Sequence, residues 1–454
     1  RPIVEVRAAN TGSQDNRLTL IATVAGSVLR FVSAAASEPE EGSAEPYRLE
    51  IVQFASYAEL EPHGRAFEPT AAERAEAAVQ PSPETVRHAD ATAGLVTSVF
   101  EAFPGLSAVR TYTRLSSARP LPIEAVSSLN LTVPMRVNCG KIDHSRVFWG
   151  DSAWAVENDW RSRPLRDVSV RNRNQVINPG QSSSRFAMIS ASTWSTGVHE
   201  PAGIVQVEGS RRQSRDFSVM WQIEHNGPWE WEVGEDDPGL HISAFGPEYQ
   251  DHHWYTELGE GHDFESVPVS FAISAGDWQQ SVAEMTLQRR ALRAAKAREL
   301  GRSEQFERTQ GLVIYNDYMN TLFGDPRLEK ELPLVEGAAR VGADIFCIDA
   351  GWYDSTDGGW WDMVGEWQAS TNRFGEAGLK GLGLWLEPEV IGVKSPLAQS
   401  LPDDAFFQRH GVRVCDSGRY LLDFRSPAAR EHVTRTVDRL IDDFGAVFFK
   451  FDYN

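Results

Sequence analysis

Lys450, Asp452 and Asn454 alternate with apolar residues in a stretch that also contains Val447, Phe448, Phe449 and Phe451. A near-continuous apolar run is the pattern of a parallel strand buried on both faces. Alternation at period 2 then turns the cation, the carboxylate and the amide to one side of its end. Polar groups converging at the carboxyl end of a buried strand are how barrel enzymes build sites. A plain salt bridge between Lys450 and Asp452, where the strand leaves the core, is the alternative. Three earlier stretches share the arrangement. Leu312–Tyr315 leads into Asn316 and Asp317, Asp344–Ile348 into Asp349, and Leu382–Leu386 into Glu387 and Glu389.

The elements that must hold these groups follow from the spacing. Strand patterns at 312–315, 344–349, 382–389 and 447–451 are separated by helical patterns at 328–341 and 427–443. Strands alternating with helices predict a parallel sheet, and polar strand ends predict a (β/α)8 barrel. Only four such strands are legible, half of a barrel. Ala350 to Gly381, where a crossover helix belongs, contains Trp352, Trp360, Trp361 and Trp367 among Gly, Asp and Ser, with no clear helical period. Trp278 to Leu300 reads as an amphipathic helix joining two domains.

Ahead of it the chain is rich in alternating segments, such as Leu106–Arg114 and Leu129–Val133, set between turn residues. That pattern predicts a large antiparallel β-sandwich. Glu38 to Pro46 reads as a solvated loop. The expected organisation is a sandwich over 1–275, a helical connection over 276–305 and a half barrel over 306–454.

Composition narrows the function. A net charge of −20 argues against nucleic-acid and anionic-membrane partners, which bind through basic patches. A neutral or small polar ligand is favoured. The fourteen Trp offer faces on which sugar rings stack, although the Trp221–Trp231 segment reads better as packing between sheets. Cys139, Cys347 and Cys415 form neither a disulfide framework nor a zinc cluster, which points to a reducing, cytoplasmic setting. The adjacent His252 and His253, placed on a loop, point apart on extended backbone and make a poor metal pair. His410 and His432 are isolated. No metal or cofactor is expected.

Six peptides, IYNDY from Ile314, IDAGWY from Ile348, VGEW from Val364, GLWLEPEV from Gly383, RYLLDFRSP from Arg419 and KFDYN from Lys450, occur in the order found in glycoside hydrolase family 36. The chain resembles the microbial α-galactosidases of that family, most of all their actinobacterial branch. The resemblance is strong from Tyr315 to Asn454 and looser in the sandwich. It implies a retaining hydrolase of terminal α-galactosyl groups, as in raffinose or melibiose, working by double displacement.

By the same resemblance Asp452 is the nucleophile, Lys450 and Asn454 contact sugar hydroxyls, and Lys450 keeps Asp452 ionised. Asp349 grips the galactose hydroxyls, Trp385 supplies an apolar wall and Arg419 binds a hydroxyl. Glu387 and Glu389 shape the strand end. The family's general acid/base is expected on a later strand, beyond Asn454, so the 454 residues alone are expected to be inactive and poorly stable. Ala350 stands where the family commonly has a second Asp. Related readings are an α-N-acetylgalactosaminidase or a transglycosylase of raffinose-synthase type; a different class is a non-catalytic carbohydrate-binding protein. Self-assembly through the amino-terminal domain is expected by analogy alone.

Overall fold

Two neighbouring indoles, Trp221 and Trp231, mark the centre of the first half of the chain. In the computed structural model their rings meet edge to face at 5.0 Å and 74°, and both are fully buried. The structure describes the chain apart from residues 1, 10, 12–19, 21–22, 41–44, 61–92, 135–143, 169, 171–184, 192–193, 209–215, 237–238, 355–358, 376–378 and 454. Cys139 and the middle of the 38–46 loop lie outside the described residues.

The chain divides into two compact units, Arg1–Ser303 and Glu304–Asn454. In the first, the described strands form two antiparallel sheets, one of ten strands and one of six. We label β1 (Arg146–Ala153), β2 (Val156–Pro164), β3 (His199–Val207), β4 (Phe217–Ile223), β5 (Trp229–Asp236), β6 (Gly239–Phe245) and β7 (Val269–Ala275). The larger sheet ends in the order β7, β4, β3, β1, β2, and the smaller one contains β5 and β6.

Alternation along β4 and β5 sends Trp221, Trp229 and Trp231 inward, with Val147, Val205, Val219 and Ile242 around them. Sheet-to-sheet packing, the reading favoured from sequence for this segment, is therefore what its tryptophans do. Gly203 on β3 makes room: a Cβ there would collide with the Trp221 ring. The strand expected at 106–114 starts two residues later, as Ala108–Ser117, and that at 129–133 is part of Leu121–Pro134.

Helix α1 (Trp278–Glu299) is capped by Asp277, whose carboxylate accepts the Gln279 N–H. It turns Ser281, Met285 and Gln288 into the outer face of the larger sheet, and the Ser281 and Ser218 hydroxyls are 2.6 Å apart. The segment expected to bridge domains is thus bound to the first unit. His252 ends a single helical turn, Tyr249–His252, rather than lying on a loop, and its Nδ1 accepts the Glu248 N–H.

The second unit is built on β8 (Ile314–Asn316), α2 (Leu328–Arg340), β9 (Ile345–Ile348), β10 (Gly383–Leu386), α3 (Pro427–Phe444) and β13 (Phe448–Phe451), with the short strands β11 (Val390–Gly392) and β12 (Arg419–Leu421) before α3. Strands β8, β9, β10 and β13 pair in parallel, in that order. This is the β-sandwich and partial barrel that the patterning predicts.

Between β9 and β10 stands an aromatic-packed loop with one short helix, Thr371–Phe374. Trp352, Tyr353 and Trp367 are buried against Trp385. Arg373 fastens the loop by donating to the Asp354 carboxylate at 2.9 Å and to its carbonyl at 3.0 Å. No helix among the described residues is long and apolar enough to cross a membrane.

Candidate active site

Each of the parallel strands delivers a polar residue at its carboxyl end. Asp317 follows β8, Asp349 follows β9, Glu387 follows β10, and Asp452 follows β13. Register explains why some of these meet. Trp385 lies opposite Lys450, and Ile348 opposite Leu384, so the period of 2 turns Asp349, Trp385 and Lys450 to the same side. The Asp452 N–H continues the ladder to the Leu386 carbonyl at 2.8 Å.

Asp349 is the hub. Its Oδ2 accepts from Lys450 Nζ at 2.7 Å and from Asn316 Nδ2 at 2.7 Å, while Oδ1 accepts the Ala350 N–H at 2.8 Å. Lys450 is half-buried, and although burial alone would lower its pKa, Asp349 and then Asp452 hold it above the usual lysine value. Lys450 hydrogen-bonds Asp349 rather than Asp452, so a simple Lys450–Asp452 bridge does not describe the site.

Asp452 accepts instead from the indole Trp385 Nε1 at 2.8 Å and from the Tyr453 N–H at 2.9 Å. Trp385 is only 1% exposed. What it offers at this point is its N–H rather than an open ring face. Trp352 Nε1 in turn donates to the Trp385 carbonyl at 2.9 Å, which links the aromatic loop to the strand.

Arg419 on β12 is buried and donates from Nη1 to Glu387 Oε2 at 2.6 Å. Its guanidinium lies 3.6 Å from the centre of the Trp361 ring. The structure joins it to Glu387 rather than to the Asp349–Lys450 pair. Glu389 is pushed up to about 7, first by burial and then by Glu387 and Asp452 nearby. Its Oε2 is buried and has no hydrogen-bond partner among the described residues. Asn454, expected to contact sugar, lies outside the described residues.

A further pair escaped the sequence reading. Asp317, 1% exposed, accepts the Asp349 N–H on Oδ1 at 2.7 Å. Its carboxyl also meets that of Glu331, 3% exposed on α2. Burial pushes both upward, and contact with Asp317 helps to raise Glu331 to about 9. Two buried carboxyls in contact share a proton, because two like charges cannot both ionise there. Glu331 sits in the first turn of α2, where an acid normally faces solvent, so nothing local marks it.

The arrangement has a clear chemical capacity. A carboxylate held by one indole donor stands beside an acid–lysine–amide group able to take several hydroxyls. Thiol chemistry is not offered, since burial drives Cys347 up to about 12.

Across its whole length the chain superimposes on solved α-galactosidases. The Lactobacillus brevis enzyme gives a TM-score of 0.66 at 14% identity, with 100% of this chain matched to 53% of that one. The Geobacillus stearothermophilus GH36 α-galactosidase AgaA, in complex with 1-deoxygalactonojirimycin, gives 0.68 at 16%, covering 100% and 55%. The fold is therefore that of the sandwich-and-barrel α-galactosidases.

Residues 279–454 match the Melibiase family model. α-Galactosidase 1 of Pediococcus pentosaceus is 30% identical over 162 residues, 33% of this chain and 22% of that protein. The probable α-galactosidase G of Emericella nidulans is 22% identical over 290 residues, 58% of this chain and 37% of that protein. Through this segment the chain is similar in sequence to the melibiases. It spans about half the length of the solved relatives.

Proposed function

We propose that the protein is a retaining α-galactosidase and that Asp452 is its nucleophile. One observation carries the reading: Asp452 and the Asp349–Lys450–Asn316 group stand together at the carboxyl ends of adjoining parallel strands. In the first step a carboxylate oxygen of Asp452 bonds to the anomeric carbon as the glycosidic C–O bond breaks. An acid on the other side of the bond protonates the departing oxygen. Water then attacks the same carbon, gives up a proton to that residue and releases Asp452. In such retaining pairs the two carboxyls lie about 5 to 5.5 Å apart.

The Trp385 N–H orients the Asp452 carboxylate, and Asp349 with Lys450 takes the galactose hydroxyls. Arg419 acts through Glu387, shaping the wall of the site, and Asn454 completes the sugar contacts. Support comes from the Melibiase match and from the relatives' names, including a Geobacillus stearothermophilus AgaA variant solved with raffinose. A raffinose- or melibiose-type oligosaccharide is the substrate class. A cytoplasmic setting belongs to the same reading, supported by the free thiols of Cys347 and Cys415. Self-association completes it, to be read by sedimentation velocity.

The test is release of p-nitrophenol from p-nitrophenyl α-galactoside by the protein expressed from its complete gene, beside its Asp452→Ala variant. Activity lost by orders of magnitude in the variant supports the reading. Equal activity in both removes Asp452 from the role, and turnover of the N-acetylgalactosaminide alone reassigns the substrate.

A further inference from the structure

We propose a second saccharide-binding site in the first unit, on the outer face of the larger sheet beside α1. A cavity of about 580 Å³ opens there, within the roughly 300–1,000 Å³ typical of small-molecule sites. Its floor is apolar, formed by Ala202, Ile204 and Met220. Two indoles flank it, Trp160 from the edge strand β2 and Trp278 from the first position of α1, each 38% exposed.

The Trp160 wall is built rather than incidental. Asn158 adopts φ +63°, a left-handed conformation that Asn tolerates better than most residues but that still carries strain. From there its side-chain oxygen accepts the Trp160 Nε1–H at 2.7 Å, which fixes the ring. Across the strand pair Trp160 faces Gly150. A Cβ at Gly150 would fall 3.2 Å from the Trp160 ring and 2.6 Å from Glu200 Cγ, so the glycine is what lets ring and carboxylate approach each other. On the far wall Trp278 leans on Phe148 at 6.1 Å and 40°.

The polar groups are few and directed. Arg289 Nη1 donates to Gln222 Oε1 at 2.9 Å and Nη2 to Thr286 Oγ1 at 3.1 Å. The guanidinium is thereby held, and the Gln222 amide nitrogen is left as a donor. Glu200 adds an acceptor on the same lining.

This chemistry selects a ligand class. A purely apolar guest would desolvate the Glu200 carboxylate and the Gln222 amide nitrogen without offering either a partner. Arg161, also on the lining, is paired with Asp151 and Asp159, so an anion would meet Glu200 and a cation Arg289. A neutral pyranose, with C–H groups on its faces and hydroxyls on its rim, meets both the indoles and the polar groups. The tryptophans and polar residues thus mark a neutral oligosaccharide site within the sandwich, independent of what the barrel strands do.

Raffinose serves as the neutral trisaccharide probe, measured by equilibrium dialysis on the protein from its complete gene, saturated with 1-deoxygalactonojirimycin to occupy the barrel site. One raffinose per chain should still bind, in the millimolar range. Trp160→Ala should weaken it about tenfold, with Trp160→Phe intermediate. Trp154→Ala, a change on the same hairpin but outside the cavity lining, should leave it unchanged. Hydrolysis of p-nitrophenyl α-galactoside should be the same in all four proteins, and Trp160→Phe should keep the wild-type unfolding midpoint. Absence of retained raffinose, or equal retention by wild type and Trp160→Ala, overturns the proposal. Because the readout is the Trp160 dependence, it stands or falls separately from the assignment of Asp452.

Discussion

Trp385 and Asp452, on neighbouring parallel strands, are joined by an indole N–H donated to a carboxylate oxygen at 2.8 Å. The bond fixes Oδ2, while Oδ1 accepts the Tyr453 N–H, so the carboxylate plane is set by both. Trp385→Phe keeps an aromatic ring in the buried cluster and removes only the donor. Hydrogen bonds to charged groups contribute about 1.5–3 kcal/mol, so kcat/KM for p-nitrophenyl α-galactoside should fall roughly 10- to 100-fold. A variant with wild-type kcat/KM would show that the indole serves packing alone.

Lys450 and Asp349 should act on sugar affinity. Lys450→Met removes the cation and leaves the Asp349 carboxylate with only Asn316 and the Ala350 N–H. We expect KM to rise about tenfold or more and kcat/KM to fall at least as far. Lys450→Arg should recover part of the loss. Unchanged KM in both variants would separate this pair from substrate.

The Asp317–Glu331 pair predicts a pH-dependent stability. Glu331 is raised from 4.5 to about 9 in the folded protein, so across that window the folded state keeps a proton that the unfolded chain has released. Stability from this group therefore falls as pH rises from about 4.5 toward 9. Glu331→Gln supplies a permanent donor to Asp317 and cannot titrate. Between about pH 5 and pH 8 its unfolding midpoint should gain on that of the wild type. Parallel midpoints over that range would remove the shared proton.

Arg419 and Glu387 form a buried ion pair, and removing one side takes a charge partner from the other. Arg419→Ala should destabilise the second unit by about 3–5 kcal/mol. The double change Arg419→Met with Glu387→Leu should restore most of it, as buried pairs replaced by packed apolar residues often do. Equal losses in the single and double variants would place the cost elsewhere, for instance in the stacking of Arg419 on Trp361.

Much of the framework is legible because it rests on period and order. Strand ends at Asp349, Glu387 and Asp452 were expected and are found, since a buried parallel strand writes itself as an apolar run ending in a polar residue. The helices at 328–340 and 427–444 differ from expectation by a residue. Partners across the sheet are less visible. Lys450 has an acid two residues away in sequence, yet its hydrogen bond goes to Asp349, 101 residues distant. Arg419 binds Glu387 because β12 folds back against β11, a pairing that no local pattern announces. Glu331 is hidden for the same reason, a surface-type residue at a surface-type position that tertiary packing turns inward.

The loop between β9 and β10 is tied to β10 by the Trp352 indole, which donates to the Trp385 carbonyl, and on β10 the Trp385 indole donates to Asp452. The link from the loop to the residue that holds Asp452 is heteroatom to heteroatom and does not depend on the outline of the loop. Insertions and deletions on its outer side can therefore accumulate without retuning the site, whereas exchange of either indole for a ring lacking an N–H cannot. Among related chains this stretch should vary freely in length while keeping the two donors, so an alignment scored on length would judge it expendable.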